Sequence, residues 1–220
     1  MAGELAALSP SVRIVDTVQQ ALRQAIFDGA LRAGEPLSVP ELARRLNVSR
    51  SPVREAVLGL VAQGLAVEHP RRGVAVATVR PEDLIAIHEI RVFIEAGAAH
   101  LAAQRASKDL AKEMRAILRE QETAVSAADA TGYFRTNAAL HRVIAQAAGN
   151  ERLAQILNAL EDQMRIALHQ VSANKAHMRE GLTEHRGVVE AIAEGKAETA
   201  EQRMRAHIER TIARSRMAPA

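Results

Sequence analysis

The sequence predicts a mainly α-helical protein in two parts: three helices and a β-hairpin over residues 1–79, then an all-α antiparallel bundle over residues 80–220. Three observations predict it. Apolar residues recur at helical spacing along most of the chain. One stretch alone, Leu65 to Val79, switches to the alternation of a strand. Hydrophobic residues make up 48% of the chain but aromatics only 2%, so the core must be built from Ala, Leu, Ile and Val, and an alanine-rich composition favours helix.

In the first part, Val15, Val18, Leu22, Ala25 and Ile26 mark a helix that Gly29 stops. Gly34-Glu35-Pro36 is a turn. Ser38, with Glu41 three residues on, predicts a capping box ahead of a short helix through Leu46. Asn47-Val48 breaks the chain, and Ser51 is expected to cap the next helix, with Pro52 at its first position. Val53, Val57, Leu60 and Val61 give that helix a buried stripe, and Gly64 ends it. Val74, Val76 and Thr78 alternate with Ala75, Ala77 and Val79, while Pro70-Arg71-Arg72-Gly73 interrupts the run as a hairpin turn would. Three helices and a hairpin compose a winged helix-turn-helix. Beyond Arg80-Pro81, helices are expected near 82–106, 108–129, 132–148, 151–170, 176–194 and 196–217, with Gly132, Gly149 and Gly195 at breaks.

Composition narrows the function classes. The chain has no cysteine, which excludes disulfides and thiolate metal sites. No stretch approaches the roughly 20 apolar residues of a membrane helix, and Met1 to Pro10 lacks the pattern of a signal peptide, so a cytoplasmic protein is expected. The net charge of +3 is small, but its distribution is informative. Between Arg44 and Arg72 lie Arg44, Arg45, Arg50, Arg54, Arg71 and Arg72 against only Glu55 and Glu68. Local arginine clusters suit a phosphate backbone.

The run Glu41 to Val57, ELARRLNVSRSPVREAV, resembles the GntR family of bacterial regulators, with Gly29-Ala30-Leu31, Gly34-Glu35-Pro36-Leu37, Gly64-Leu65 and the wing glycine Gly73 in agreement. The resemblance covers about 60 residues and implies a DNA-binding regulator. Asn47 stands where the family carries a turn glycine, and asparagine tolerates the left-handed conformation. Pro40 stands where some relatives carry a phosphate-binding arginine. Helical spacing by itself puts Arg50, Ser51 and Arg54 on the face opposite the valine stripe, at the helix end that enters a major groove. Ser49 and Ser51 suit phosphate oxygens, and either arginine can grip guanine in a bidentate fork. Arg71, Arg72 and Gly73 can follow the backbone or the minor groove.

In the second part the informative residues are Asn137, His141, His185 and His207. Asn137 and His141 are four apart on one helix. His185 and His207 flank a predicted hairpin at Gly195-Lys196, each roughly 15 Å along its helix from the turn, which brings them level. Three imidazoles and an amide oxygen suit Zn²⁺ or Ni²⁺ better than Ca²⁺ or Mg²⁺. Arg91-Val92-Phe93-Ile94-Glu95, Leu140-His141, Ala148-Gly149-Asn150, Glu184-His185 and His207-Ile208 resemble the FCD domain of FadR-like GntR regulators over nearly all of 82–210. That resemblance implies a metal-binding effector domain. Metal-binding members carry an aspartate where this chain has Asn137, which implies weaker metal affinity and a stronger pull on an anionic effector. Arg91 falls on or beside the apolar stripe, so it must be paired: Glu95 one turn away is one partner, an effector carboxylate the other. His88, His100, His169 and His177 have no matching role and are read as structural or exposed.

These features predict a homodimeric regulator, not an enzyme, that binds a pseudo-palindromic double-stranded operator, with repression relieved by a small organic acid held by the metal and Arg91. In the alternative reading, the metal ion is itself the signal. A zinc hydrolase would need an H-E-x-x-H helix or a paired base, and the sequence offers neither.

Overall fold

A computed structural model describes residues 14–168 and 174–217. The chain divides between Thr78 and Val79 into two compact units. The sequence expectations for Met1 to Pro10, for His169 and for the last residues of the 151–170 helix lie outside the described residues.

The first unit runs α1 (Ile14–Phe27), α2 (Val39–Leu46), α3 (Arg50–Ala62), β1 (Ala66–His69) and β2 (Gly73–Val76). Its core is the apolar stripe of each helix: Val18, Leu22 and Ile26 from α1, Leu42 and Ala43 from α2, and Val53, Ala56, Val57 and Leu60 from α3. The strands pair antiparallel, Ala66 opposite Val76 and His69 opposite Gly73. A neighbouring segment joins this sheet unannounced by any alternation: the Leu37 amide donates to the Val74 carbonyl at 2.8 Å, and the Val76 amide to Glu35 at 2.9 Å. The hairpin is shorter than the Leu65–Val79 alternation suggested, since Thr78 and Val79 belong to no strand.

Three local expectations are corrected. Ser38 is the N-cap of α2, but its side chain makes no capping bond. Pro40 sits two residues later and has no N–H, so one donor that a cap would satisfy is missing. The next helix starts at Arg50 with Ser49, not Ser51, as N-cap. Every first-turn N–H lacks an intrahelical acceptor, so Pro52 fits at the third position as well as at the first. Ser51 lies inside that turn, and its hydroxyl donates to Glu55 at 3.4 Å. Gly132 is no break; Asp129 caps the helix by accepting from the Gly132 amide at 3.0 Å, and Ala128 takes the left-handed conformation at φ 55°. Asn47 is left-handed as expected, at φ 52°.

The second unit is helical throughout its described residues: α4 (Pro81–Gln104), α5 (Lys108–Ser126), α6 (Ala130–Ala147), α7 (Glu151–Leu168), α8 (Lys175–Ala193) and α9 (Ala197–Met217). The Arg80 amide donates to the Asp83 carboxylate at 3.0 Å, which closes the first turn of α4. Gly195, at φ 70°, turns α8 back into α9 through a conformation that a side chain would strain. Helix α4 packs mainly along α9, and α5 against α6 and α8. Met114, Leu140, Ile144, Val188, Ile192, Met204 and Ile208 fill the space between them.

Candidate functional site

On the first unit the structure places Ser49 at the head of α3, with Arg50, Ser51 and Arg54 all exposed along its first turns. The opposite side, Pro52, Val53, Ala56, Val57 and Leu60, is buried. The helix is therefore anchored by one face and free on the other. Arg71, Arg72 and Gly73 are exposed at the hairpin tip, where Arg71 and Gly73 both adopt positive φ, 66° and 80°. These two loci supply guanidinium groups, hydroxyls and a helix N-terminus, a set suited to phosphate and base-edge contacts.

In the second unit, His141 from α6, His185 from α8 and His207 from α9 converge, their ligand atoms within 4.8 Å of one another. All three are buried. The His207 Nδ1 donates to the Glu184 carboxylate at 2.7 Å, and the His185 Nδ1 to the Gln121 amide oxygen at 2.8 Å. The His141 Nδ1 donates to Glu95. Oxygens of this kind only accept, so each ring carries its proton on Nδ1 and turns an Nε2 lone pair inward. Two such lone pairs, on His185 and His207, face each other at 3.2 Å. Burial pushes the His207 imidazole down to about 4, against the opposing pull of Glu184. Burial, with His207 and His141 beside it, lowers His185 well below its ordinary range. Neither ring is a cation near neutral pH, so no proton bridges them. The His141 Nε2 is buried and has no hydrogen-bond partner. Three inward lone pairs without a donor fit a cation, and acceptors fixing each Nδ1 are the outer shell that orients metal-bound histidines.

Beside this cluster lies a cavity of about 190 Å³, lined among others by Asn137, His141, His207, Arg91, Tyr133 and Arg214. Asn137 thus shares a cavity with two of the histidines. Arg91 is buried, and of its two expected partners Glu95 is the one present. Its guanidinium pairs with Glu95, lies 3.9 Å from Glu161, and still lines the cavity. Burial alone would raise Glu95, but Arg91 and His141 hold its carboxyl below the usual carboxylate range. The cavity also has an apolar side, from Leu84, Phe134, Met164, Met178 and Ile208.

Several contributors were not foreseen. His88, read as structural or exposed, is buried against Arg91 at 3.3 Å and lines the cavity, as does His177. Burial, then Arg91, pushes His88 down to about 3. Arg214 binds Glu184 through two bonds of 3.0 and 3.1 Å. It lies seven residues after His207, hence on the same face, a spacing that could have revealed it. Gln121 is fully buried; it lies three residues after Leu118 and four before Val125, on the apolar stripe of α5, a spacing that could have revealed it.

Comparison with known proteins fits both units. Residues 14–76 match the family of bacterial regulatory proteins named gntR, and residues 86–210 match the FCD domain. The HTH-type transcriptional repressor RspR of Escherichia coli is 26% identical over 206 residues, covering 92% of this chain and 89% of that protein. A probable D-xylose utilization operon transcriptional repressor of Paenarthrobacter nicotinovorans is 28% identical over 195 residues, covering 89% of this chain and 85% of its own length. Among solved structures, McbR/YncC of E. coli shares the fold with a TM-score of 0.80 at 24% identity, over 94% of this chain and 98% of that one. A GntR transcriptional regulator from a Rhodococcus strain superposes with a TM-score of 0.78 at 25% identity, over 94% and 99% of the two chains.

Proposed function

This chain belongs to the gntR family of bacterial regulatory proteins and carries an FCD domain, and from that premise we propose how its two units divide the work of a DNA-binding transcriptional regulator. Ser49, Arg50, Ser51 and Arg54 enter the major groove of a pseudo-palindromic operator, one set from each subunit of a homodimer. Arg71, Arg72 and Gly73 follow the flanking backbone. Support comes from the exposure of all seven residues on a helix and hairpin anchored from behind.

The second unit senses a small carboxylic acid at a metal centre. His141, His185 and His207 hold a divalent ion, Zn²⁺ or Ni²⁺ by donor type, with the Asn137 oxygen beside them. The observation that carries this reading is the pair of neutral Nε2 atoms facing each other at 3.2 Å, beside a third that has no partner. When bound, the ion supplies a Lewis-acidic anchor for a carboxylate oxygen. Arg91, already oriented by Glu95, presents its remaining edge to the same anion, and the apolar wall of the cavity takes the acid's body. Charge supports an anion. The arginines and glutamates ion-paired around the cavity are three arginines, 91, 210 and 214, and four glutamates, 95, 161, 180 and 184, one net negative charge that a divalent ion more than offsets. Binding relieves repression because the acid prefers the arrangement that does not bind the operator; an equal preference would shift nothing. The two relatives named as repressors favour this sign.

Thermal shift of the full chain against a set of carboxylic acids, with Zn²⁺ and after chelation, tests the sensor. The expected hit raises the melting point only with metal present, and is lost in both His185→Ala and Arg91→Ala, while Arg91→Ala still binds a promoter fragment. An acid that stabilises chelated protein equally well would refute the metal centre. Operator release by Zn²⁺ alone would make the ion the signal.

A further inference from the structure

His88 stands apart from the other basic groups around the cavity. Arg91 is answered by Glu95, and Arg214 by Glu184 at 3.0 Å. His141 and His207 turn their free nitrogens toward His185. The His88 ring lines the same cavity and is only 4% exposed, yet among the described residues its one hydrogen-bond partner is Arg91.

That partner fixes what the ring can do. A guanidinium has only protons to give, so the His88 Nδ1, 3.3 Å from it, is the acceptor. The proton of the neutral imidazole therefore sits on Nε2. Burial, then the adjoining guanidinium, push His88 down to about 3, so the ring takes no second proton near neutral pH. Among the described residues nothing accepts from the Nε2–H. Buried donors are almost always answered, and the cavity is where an acceptor has room.

We propose that His88 reads a second functional group of the effector: its Nε2–H donates to an uncharged oxygen, a hydroxyl or carbonyl, on the carbon chain of the bound acid. The inference rests on the carboxylate reading above and deepens it by naming the class, an oxo or hydroxy acid. In that reading the ion and Arg91 already meet the carboxylate's charge. A neutral donor suits an oxygen that brings no further charge into a buried site. One molecule can make both contacts, because His88 and Arg91 lie three apart on α4 and their side chains touch. Size agrees. A cavity of about 150 Å³ holds a six-carbon guest, so one of about 190 Å³ takes about six to eight non-hydrogen atoms. A four-carbon acid with one further oxygen falls in that range. Such a site discriminates because the same acid without the oxygen leaves the buried N–H stranded.

Calorimetric titration of the full chain with Zn²⁺ present tests the proposal, using butanoate and its 2-oxo, 2-hydroxy, 3-hydroxy and 4-hydroxy derivatives. At least one derivative is expected to bind the wild type at least tenfold tighter than butanoate. H88F and H88L, which fill the place of the ring without an N–H, are expected to lose that preference while binding butanoate as the wild type does. H88Q, whose amide keeps a donor, is expected to retain part of it. The proposal is overturned if the wild type prefers no derivative, or if a folded H88F or H88L keeps the preference. It is also overturned if those variants weaken butanoate as much as the derivative, for His88 would then hold the carboxylate itself. Butanoate that binds the wild type as well as every derivative would remove the role of His88 and leave the carboxylate sensor standing. Binding of none of the five acids would remove both.

Discussion

Replacing Glu95 with glutamine removes the carboxylate that Arg91 and His141 share, while keeping the size of the side chain. The Arg91 side chain is only 4% exposed, so its charge cannot turn to water. Breaking a buried ion pair from one side costs about 3–5 kcal/mol, because the other charge is left uncompensated. Glu161, 3.9 Å from the guanidinium, softens the loss, so the lower end of that range applies. For a chain of this size about 1 kcal/mol corresponds to 2–4 °C, giving a fall of roughly 6–12 °C in the melting point of chelated protein. The same change withdraws the anionic partner of the His141 Nδ1, and outer-shell losses of this kind weaken metal affinity about 10–100-fold. Glu161→Gln is the control: its carboxylate is farther from Arg91, at 3.9 Å, and no histidine bond to it is seen, so it should cost clearly less than E95Q. Calorimetric melting and Zn²⁺ titration of both variants decide the matter. If the two variants melt together, or if E95Q binds Zn²⁺ as tightly as the wild type, the reasoning about a shared buried carboxylate is wrong.

Arg54→Ala should weaken operator binding by about 1–3 kcal/mol if the guanidinium reads a base, measured by fluorescence anisotropy at fixed salt; unchanged affinity would take it out of the interface. Chelated protein should lose stability as pH falls through the window below 6.5, because His207 and His88 are held at about 4 and about 3 when folded while the unfolded chain takes up protons at the ordinary 6.5. Each unit of depression is worth about 1.4 kcal/mol per group, and the histidine contribution levels off once pH passes the folded values. Glu184 acts in a lower window: held at about 2, it contributes stability above its ordinary 4.5 that is lost between the two; a melting point flat from pH 7 to 4 would contradict the histidine assignments. Gly181→Ala should weaken effector binding and lower the melting point by about 1–3 kcal/mol of overpacking, since an added Cβ overlaps the Tyr133 hydroxyl at the cavity wall; a variant that melts and responds as the wild type would show that the ring moves freely.

The helices were legible in the sequence because each buries one stripe, and a stripe is a property of spacing. His185 and His207 could be placed level for the same reason, by counting from one turn at Gly195. What could not be counted was partnership across elements. Gln121 meets His185 across 64 residues of chain, and Glu95 meets His141 across 46. No periodicity encodes which rotamer reaches which neighbour. The start of α3 falls two residues before the one Pro52 suggests, since proline fits anywhere in a first turn; the start of α2 at Ser38 holds, but Pro40 removes the donor on which its side-chain cap depended. The pairing of Glu35 and Leu37 with β2 escaped notice because four residues are too few to display an alternation.

Helix α4 is a single rod of 24 residues, close to 36 Å long at about 1.5 Å per residue. Arg91 points from it into the cavity, and Glu95, one turn on, pairs with that guanidinium. Phe93 and Gly97 follow each of them by two residues, which on a helix is more than half a revolution, so they emerge on the reverse side. Any rotation that draws Arg91 toward an anion therefore carries Phe93 the opposite way, by a comparable arc, with no intervening hinge. Pro81 begins the rod three residues after the first unit ends at Thr78. One helix thus presents, on opposite sides, an ion-paired arginine at the cavity and an exposed phenylalanine, so a single turn of the rod moves both.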